Sequence, residues 1–347
     1  MSAKPCPFGT HRVLEPAGAL PQAAIRLDNR LPLQDNEMLI EVETLNVDSA
    51  SFTQIREACD HDTDRMAGMI LDIVSKRGKL QNPVTGSGGM LLGRVRALGP
   101  DFPGQAAPGD QVATLVSLSL TPLRLRRIKA IHLDTDQVDV EGEAILFASG
   151  IFAQIPEDLD RKLVLSALDV AGAAAQVHLL VKPGDSVMVL GASGKSGVLC
   201  CVQAKLDAGD TGRVIGVCYD PVEAEELRAL NACDAIVMAD ARDPMDVYGK
   251  VLAANAGRRV DLAINVVNVP GAEMASILPV RDGGTVYFFS MATNFAKAAL
   301  GAEGVASSAR MLIGNGYTLG HATFTLDLIR RHPGLARLFT KRYAGKD

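Results

Sequence analysis

The stretch that decides the fold is Val187-Met-Val-Leu-Gly-Ala-Ser-Gly-Lys-Ser-Gly197. Its four leading apolar residues, Val187 to Leu190, read as a buried strand, and SGVLCCVQAKLDAG from Ser196 to Gly209 reads as a helix. A strand that breaks on spaced glycines into a helix leaves the first-turn N–H groups without partners in the helix. The positive end of the helix dipole adds to them, and the pair suits a phosphate or pyrophosphate. Two nucleotide sites use this logic. A P-loop needs a glycine five residues before its Gly-Lys-Ser, and Val189 stands at that place before Gly194-Lys195-Ser196. The glycines fall instead at 191, 194 and 197, a G-x-x-G-x-x-G variant of the dinucleotide fingerprint. Gly191, Ser193, Gly194, Lys195, Ser196 and Gly197 are therefore candidate cofactor contacts.

Downstream, strands at 187–190, 213–217, 235–239, 261–267 and 285–290 alternate with helices near 195–208, 221–232, 244–256 and 271–279. That alternation predicts a doubly wound parallel sheet, an α/β Rossmann domain over 158–292, with its ligand at the carboxyl ends of the strands. Asn265, Val267, Asn268, Phe289, Ser290 and Met291 lie at such ends and join the candidate cofactor contacts. Past the second strand, RVIGVCYD, NAD enzymes commonly place an acid for the ribose 2′-hydroxyl. Cys218 stands at that place and Asp220 two residues later. Asp220 also makes a capping box with Pro221 and Glu223, so cap and ribose contact both stay open. The neighbours Glu223, Glu225 and Glu226 include no Lys or Arg for a 2′-phosphate, which favours NAD and leaves NADP open.

Upstream, Met1 to about Glu157 is β-rich and punctuated by Gly and Pro. Met38 to Asn46 alternates like a half-exposed strand, Ser51 to Arg77 has helical character, and short strands follow across GSGGMLLGRVRALGP and APGDQVATLVSLSLTPL. A partly open β-barrel domain is expected over 1–157. The tail, 293–347, is expected to pack back on it.

The net charge of −5 offers no footprint for nucleic acid or anionic membrane, and 48% hydrophobic with 22% charged residues is a soluble composition. No run of about 18 apolar residues is present, so no membrane partner is expected. The start, MSAKPCPFGTHRVLEP, has no apolar core of a secretion signal. Cysteines 6, 59, 200, 201, 218 and 233 form no CxxC pair and read as reduced core residues of a cytoplasmic protein. The six histidines are scattered without the spacing of an acid–base or nucleophile site.

Pro108-Gly-Asp-Gln-Val, Pro156-Glu-Asp-Leu and Val181-Lys-Pro-Gly-Asp-Ser-Val-Met-Val-Leu-Gly-Ala-Ser-Gly resemble recurrent signatures of the medium-chain dehydrogenase/reductase superfamily. Within it, Gly9-Thr-His-Arg-Val-Leu-Glu-Pro, Leu45-Asn-Val-Asp-Ser-Ala-Ser-Phe-Thr-Gln-Ile, Asn82-Pro-Val-Thr-Gly-Ser-Gly-Gly-Met, Ala167-Leu-Asp-Val-Ala-Gly-Ala and Phe288-Phe-Ser-Met-Ala-Thr resemble the family of L-erythro-3,5-diaminohexanoate dehydrogenases. Lys297-Ala-Ala-Leu-Gly-Ala-Glu-Gly extends the likeness towards the end of the chain. The resemblance implies a GroES-like catalytic domain beside the Rossmann domain, and oxidative deamination of a small diamino acid in lysine fermentation. It also implies a homodimer or homotetramer.

Zinc-dependent relatives in that superfamily hold their metal with residues that match Asp48, Gly89 and about Ser166 here. One carboxylate without imidazole or thiolate is a poor zinc set, so no metal is expected. A base must then free the amine lone pair before hydride can leave its carbon. Asp48 is the leading candidate, against a helix-capping role. Asp169, in the apolar stretch ALDVAGAAAQ, is the second, against a salt bridge or cap. Ser49, Ser51 and Ser119 are candidate substrate contacts. Glu303 is a third carboxylate for an amine, and Lys297, Arg124 or Arg310 could hold the substrate carboxylate, with solvated surface as the plainer reading of Lys297 and Glu303. Two other functions compete: a zinc-free quinone or enoyl reductase, and a non-catalytic nucleotide-binding protein of this fold.

Overall fold

A computed structural model describes residues 5–314 and 316–343. The chain divides into two compact units, one running to Asp169 and the other Val170–Arg342.

The first unit opens with β1 (Val13–Glu15) and β2 (Arg26–Leu27), an antiparallel pair. It continues through β3 (Glu37–Asn46), α1 (Ser49–Ala58), α2 (Thr63–Arg77), β4 (Met90–Leu98), β5 (Gln111–Thr114), β6 (Leu123–His132), β7 (Gln137–Phe147), β8 (Phe152–Gln154) and α3 (Arg161–Leu168). Six of these strands form an antiparallel sheet in the order β6-β7-β3-β4-β5-β8. Met38, Ile40 and Val42, two apart along β3, share one face of it and pack in one core with Phe52 and Ile55 of α1 and Met66 and Ile70 of α2. The helix expected across 51–77 is two helices. Asp60 and His61 adopt positive φ of 53° and 63°, which ends α1, and Asp62 then caps α2 by accepting from the N–H groups of Asp64 and Arg65.

The second unit runs α4 (Ala171–Leu180), β9 (Ser186–Leu190), α5 (Lys195–Ala208), β10 (Arg213–Cys218), α6 (Pro221–Ala229), β11 (Ala235–Met238), α7 (Pro244–Ala254), β12 (Val260–Asn265), α8 (Glu273–Ile277), β13 (Val280–Phe288), α9 (Phe295–Gly304), β14 (Arg310–Ile313), α10 (His321–Arg331) and α11 (Pro333–Tyr343). All six strands are parallel, in the order β11-β10-β9-β12-β13-β14. This is the Rossmann arrangement, in which the order reverses beside the first strand, β9.

The tail departs from expectation. Met311-Leu-Ile supplies a sixth strand, with Thr285 to Phe288 of β13 in register with Arg310 to Ile313. Residues 293–342 therefore belong to the second unit, not the first. A four-residue strand among glycines gives too short an apolar run to stand out by period. No single helix among the described residues is long and apolar enough to cross a membrane.

Lys79, fully buried after α2, has one hydrogen bond, from Nζ to the Pro21 carbonyl at 3.1 Å. Burial pushes its pKa down to about 8, and Arg77 adds to the push. The folded state thus binds this proton more weakly than the unfolded chain does. Below pH 8 both states carry the proton and the buried charge costs stability; between pH 8 and the ordinary lysine range that cost is relieved. Lys79→Met should therefore flatten the rise in stability. The difference in melting temperature between variant and wild type should shift in favour of wild type from pH 7 to pH 9.5, and a difference independent of pH would contradict the assignment.

Candidate functional site

The glycine turn after β9 has the geometry a dinucleotide needs. Gly191 has φ of +87°, and a Cβ there would sit 3.0 Å from the Val267 backbone. A Cβ on Gly197 would lie 2.1 Å from the Gly191 carbonyl oxygen, so only glycine lets α5 start this close to the strand. Gly194, the N-cap of α5, is different: a Cβ there meets nothing of the chain nearer than 3.5 Å. The helix start is thus open on the ligand side, and Lys195 and Ser196 follow as its first two residues. The residues present fit a pyrophosphate.

Beside the turn lies a cleft of about 190 Å³, lined by Leu190, Gly191, Cys218, Tyr219, Arg242 and Val267 among others. Its apolar lining at the ends of β9, β10 and β11 suits an adenosine. Cys218 is buried, and burial pushes its thiol up to about 11, so it is neutral there. Asp220 caps α6 by accepting from the Glu223 N–H at 2.9 Å. The expected capping box is only half made, because the Glu223 carboxylate accepts from the Ser193 hydroxyl at 2.9 Å instead. An acid thus stands against the phosphate turn itself.

Arg242 adds to the cleft a cation that the sequence neighbours of Asp220 do not supply. It arrives from the loop after β11, outside the stretch around Asp220, and its guanidinium is clasped by Asp240 at 2.7 and 3.0 Å. The rule that ligands meet strand carboxyl ends points to this loop as well, since β11 neighbours β10. Asn265 is largely committed within the protein. Its amide donates to Ser276 at 2.8 Å, its side-chain oxygen accepts from Val267 N–H at 3.2 Å, and its carbonyl accepts from Phe289 at 3.0 Å. Ser290 is buried and caps Ala292 N–H at 3.2 Å, Phe289 is half-buried, Asn268 is exposed, and Met291 is 87% exposed.

The first unit gathers a second polar set. Asp48 is the N-cap of α1, its Oδ1 accepting from Ser51 N–H at 3.0 Å. Its Oδ2 is buried and has no hydrogen-bond partner among the described residues. Such an oxygen is costly unless a ligand meets it. Ser51 Oγ lies 2.6 Å from Thr85 Oγ1 and 3.0 Å from Ser87 Oγ. Ser119 Oγ pairs with Ser117 Oγ at 2.8 Å, and the turn carrying them is fastened by Leu118 N–H to the Gly89 carbonyl, also at 2.8 Å. Gly89 has φ of +96°, and a Cβ would lie 2.7 Å from Asp48 N and 2.1 Å from the Asn46 carbonyl oxygen. An imidazole cannot be placed there without moving the backbone. Thr85 and Ser87 were not singled out from the sequence, and only their turn residues Asn82-Pro83 and Gly86 hint at them.

The other candidates are dispersed. Ser49 is exposed at the start of α1. Asp169 is half-buried and is the C-cap of α3. Lys297 and Glu303 lie on α9, both exposed. Arg124 is engaged by Glu143 together with Arg96, which argues against its holding a substrate carboxylate. Arg310 is exposed at the start of β14. Among the described residues no group of three or more His, Cys, Asp or Glu side chains could hold a metal ion.

Solved structures share this fold. The CurK enoyl reductase superposes with a TM-score of 0.54 at 15% identity, covering 90% of this chain and 80% of its own. A mycobacterial protein, Rv1454c complexed with NADPH, gives 0.54 at 19% identity, covering 87% of this chain and 82% of its own. The shared architecture is a parallel-sheet Rossmann unit and an antiparallel GroES-like one. Residues 11–156 match the family described as the L-erythro-3,5-diaminohexanoate dehydrogenase N-terminal domain. Two proteins named L-erythro-3,5-diaminohexanoate dehydrogenase, from Acetoanaerobium sticklandii and Fusobacterium nucleatum subsp. nucleatum, are 54% and 53% identical over 342 residues. Each alignment covers 98% of this chain and 99% of the relative. The chain belongs to the L-erythro-3,5-diaminohexanoate dehydrogenase family, and it is an oxidoreductase.

The opening at Gly194 has a direct test. Gly194→Ala meets no atom of the chain closely, so it should cost less than about 1 kcal/mol of stability. The added methyl occupies ligand space and should weaken NADH binding at least ~10-fold in a fluorescence titration, about 1.4 kcal/mol. Unchanged affinity would move the pyrophosphate elsewhere.

Proposed function

We propose that this chain carries out the NAD-dependent oxidative deamination of L-erythro-3,5-diaminohexanoate to 5-amino-3-oxohexanoate and ammonia, a step of lysine fermentation. The observation that carries the chemical part is Asp48 Oδ2, a buried carboxylate oxygen without a partner among the described residues. A substrate ammonium supplies both the charge and the donor that oxygen lacks.

In this reading Asp48 first holds the 3-ammonium and then takes one of its protons, freeing the nitrogen lone pair. The bound nicotinamide ring supplies the hydride acceptor. Water then adds to the resulting iminium and loses a proton to solvent, Asp48 returns its proton to the carbinolamine nitrogen, and the hydroxyl proton passes to the departing ammonia as the carbonyl forms, so that ammonium and one proton are released. Ser51 and Ser119 orient the substrate by neutral hydrogen bonds, and Thr85 and Ser87 fix the Ser51 hydroxyl. Asp169 serves as the second carboxylate for a substrate amine. Ser49, Lys297 and Glu303 are exposed and are left as contacts at the margin, Lys297 for the substrate carboxylate. No step calls for a metal.

Gly191, Ser193, Gly194, Lys195, Ser196 and Gly197 would hold the pyrophosphate. Cys218, Asp220, Val267 and the β12–β13 ends would hold the nucleosides. NAD is the proposed form. Glu223 and Asp220 place negative charge where a 2′-phosphate would come, and the one cation lining that cleft among the described residues, Arg242, is already clasped by Asp240. The site is proposed for a small diamino acid, with neither nucleic acid nor membrane as partner. The six cysteines are unbonded, in keeping with a cytoplasmic setting. The apolar edge strand β14, exposed along its length, suits pairing with a second copy in a homodimer.

The purified chain should reduce NAD, followed by NADH absorbance, when given L-erythro-3,5-diaminohexanoate, and should do so at least ~10-fold more efficiently in kcat/KM than with NADP. Light scattering on the same sample should return the mass of two chains. Turnover of quinones or enoyl thioesters without turnover of the diamino acid would overturn the substrate assignment.

A further inference from the structure

The phosphate turn is held from an unexpected direction. Arg342, near the end of α11, donates from Nη1 to the Ser193 carbonyl at 2.6 Å and from Nε to Glu226 Oε2, also at 2.6 Å. Lys341 binds the other oxygen of Glu226 at 2.6 Å, and the two cations hold the Glu226 carboxyl below its usual range. The Arg342 side chain is 12% exposed, so this contact is shielded rather than a solvated surface pair.

Its target is one particular peptide group. The Ser193 carbonyl is taken by Arg342, while the N–H of the same peptide, that of Gly194, donates to the Gly191 carbonyl at 3.2 Å. Both polar ends of a planar unit are therefore fixed. The Ser193 hydroxyl is fixed in turn by Glu223. Gly194 has no side chain to hold its own conformation, and it is the residue from which α5 starts. The direction of the first-turn amides depends on that peptide plane. The N–H end is held within the glycine motif, by Gly191, whereas the restraints on the Ser193 carbonyl and hydroxyl come from α11 and α6.

We propose that Arg342 is a positioning residue for the cofactor pyrophosphate: it preorganises the Ser193–Gly194 peptide so that the start of α5 meets the phosphates without rearrangement. The inference rests on nicotinamide nucleotide binding at this turn. It concerns the pyrophosphate and not the adenosine, whose cleft Arg342 does not line.

Calorimetric titration with two probes separates these parts. ADP-ribose carries the pyrophosphate and adenosine does not. Arg342→Gln should weaken ADP-ribose about 10-fold, the scale of a lost preorganising contact, and leave adenosine affinity and the circular-dichroism spectrum unchanged. Should that variant fail to fold, Arg342→Lys decides the matter. A lysine keeps the charge opposite Glu226 but not the fork that reaches two acceptors at once, so it should show the same selective loss. ADP-ribose binding at wild-type strength in either folded variant would overturn the proposal, as would an equal loss for both probes. A wild-type protein that bound neither ADP-ribose nor NADH would instead remove the nucleotide reading on which the proposal stands.

Discussion

The second unit depends on one close approach, that of Gly197 to the carbonyl oxygen of Gly191. A Cβ would stand 2.1 Å from that oxygen, so any other residue would push α5 away from β9. The contact brings a helix N-terminus directly over the end of the central strand, where the strand order reverses. The open cradle at Gly194, the adenosine cleft beyond Cys218 and the bond from Ser193 to Glu223 all take their positions from it. The proposed phosphate site is thus less a set of ligands than a consequence of how tightly one helix packs.

The first unit turns on a residue with two duties. Asp48 spends one oxygen on the N-terminus of α1, where a negative charge faces the positive end of the helix. This fixes the side chain and leaves the other oxygen buried and unmet. Rigid placement of that kind is what a proton acceptor needs, since little is lost in ordering it when substrate arrives. The capping role and the catalytic role, alternatives when only the sequence is read, are compatible in the structure. Gly89 is the reason a metal ligand of the zinc-dependent relatives has no place beside it: its backbone is pressed against Asn46 and Asp48.

Much of the second unit was legible because a parallel sheet buried on both faces writes long apolar runs, and the glycine spacing marks its first turn. The helix boundary at Asp220-Pro221 is readable from its cap. What escaped was non-local or short. Strand β14 hid among glycines, and the break at Asp60–His61 hid inside a helical period. Arg242 and Arg342 reach the nucleotide site from loops and helices that no spacing rule ties to the fingerprint. Glu223 was read as a box partner of Asp220, whereas tertiary structure gave its carboxylate to Ser193. In the first unit Asp48 was found through family likeness, but its unmet oxygen and the hydroxyls of Thr85 and Ser87 are visible only in three dimensions.

The account stands on a carboxylate that recognises a cationic amine. Its most direct measurement is the affinity of Asp48→Asn, loaded with NADH so that no turnover occurs, for the diamino acid and for an analogue with hydroxyls in place of both amines. The asparagine can still cap α1 but carries no charge. The account predicts at least ~10-fold weaker binding of the diamino acid and unchanged binding of the analogue, the difference expected of a charge-assisted bond. Equal affinity of wild type and variant for the diamino acid would contradict it.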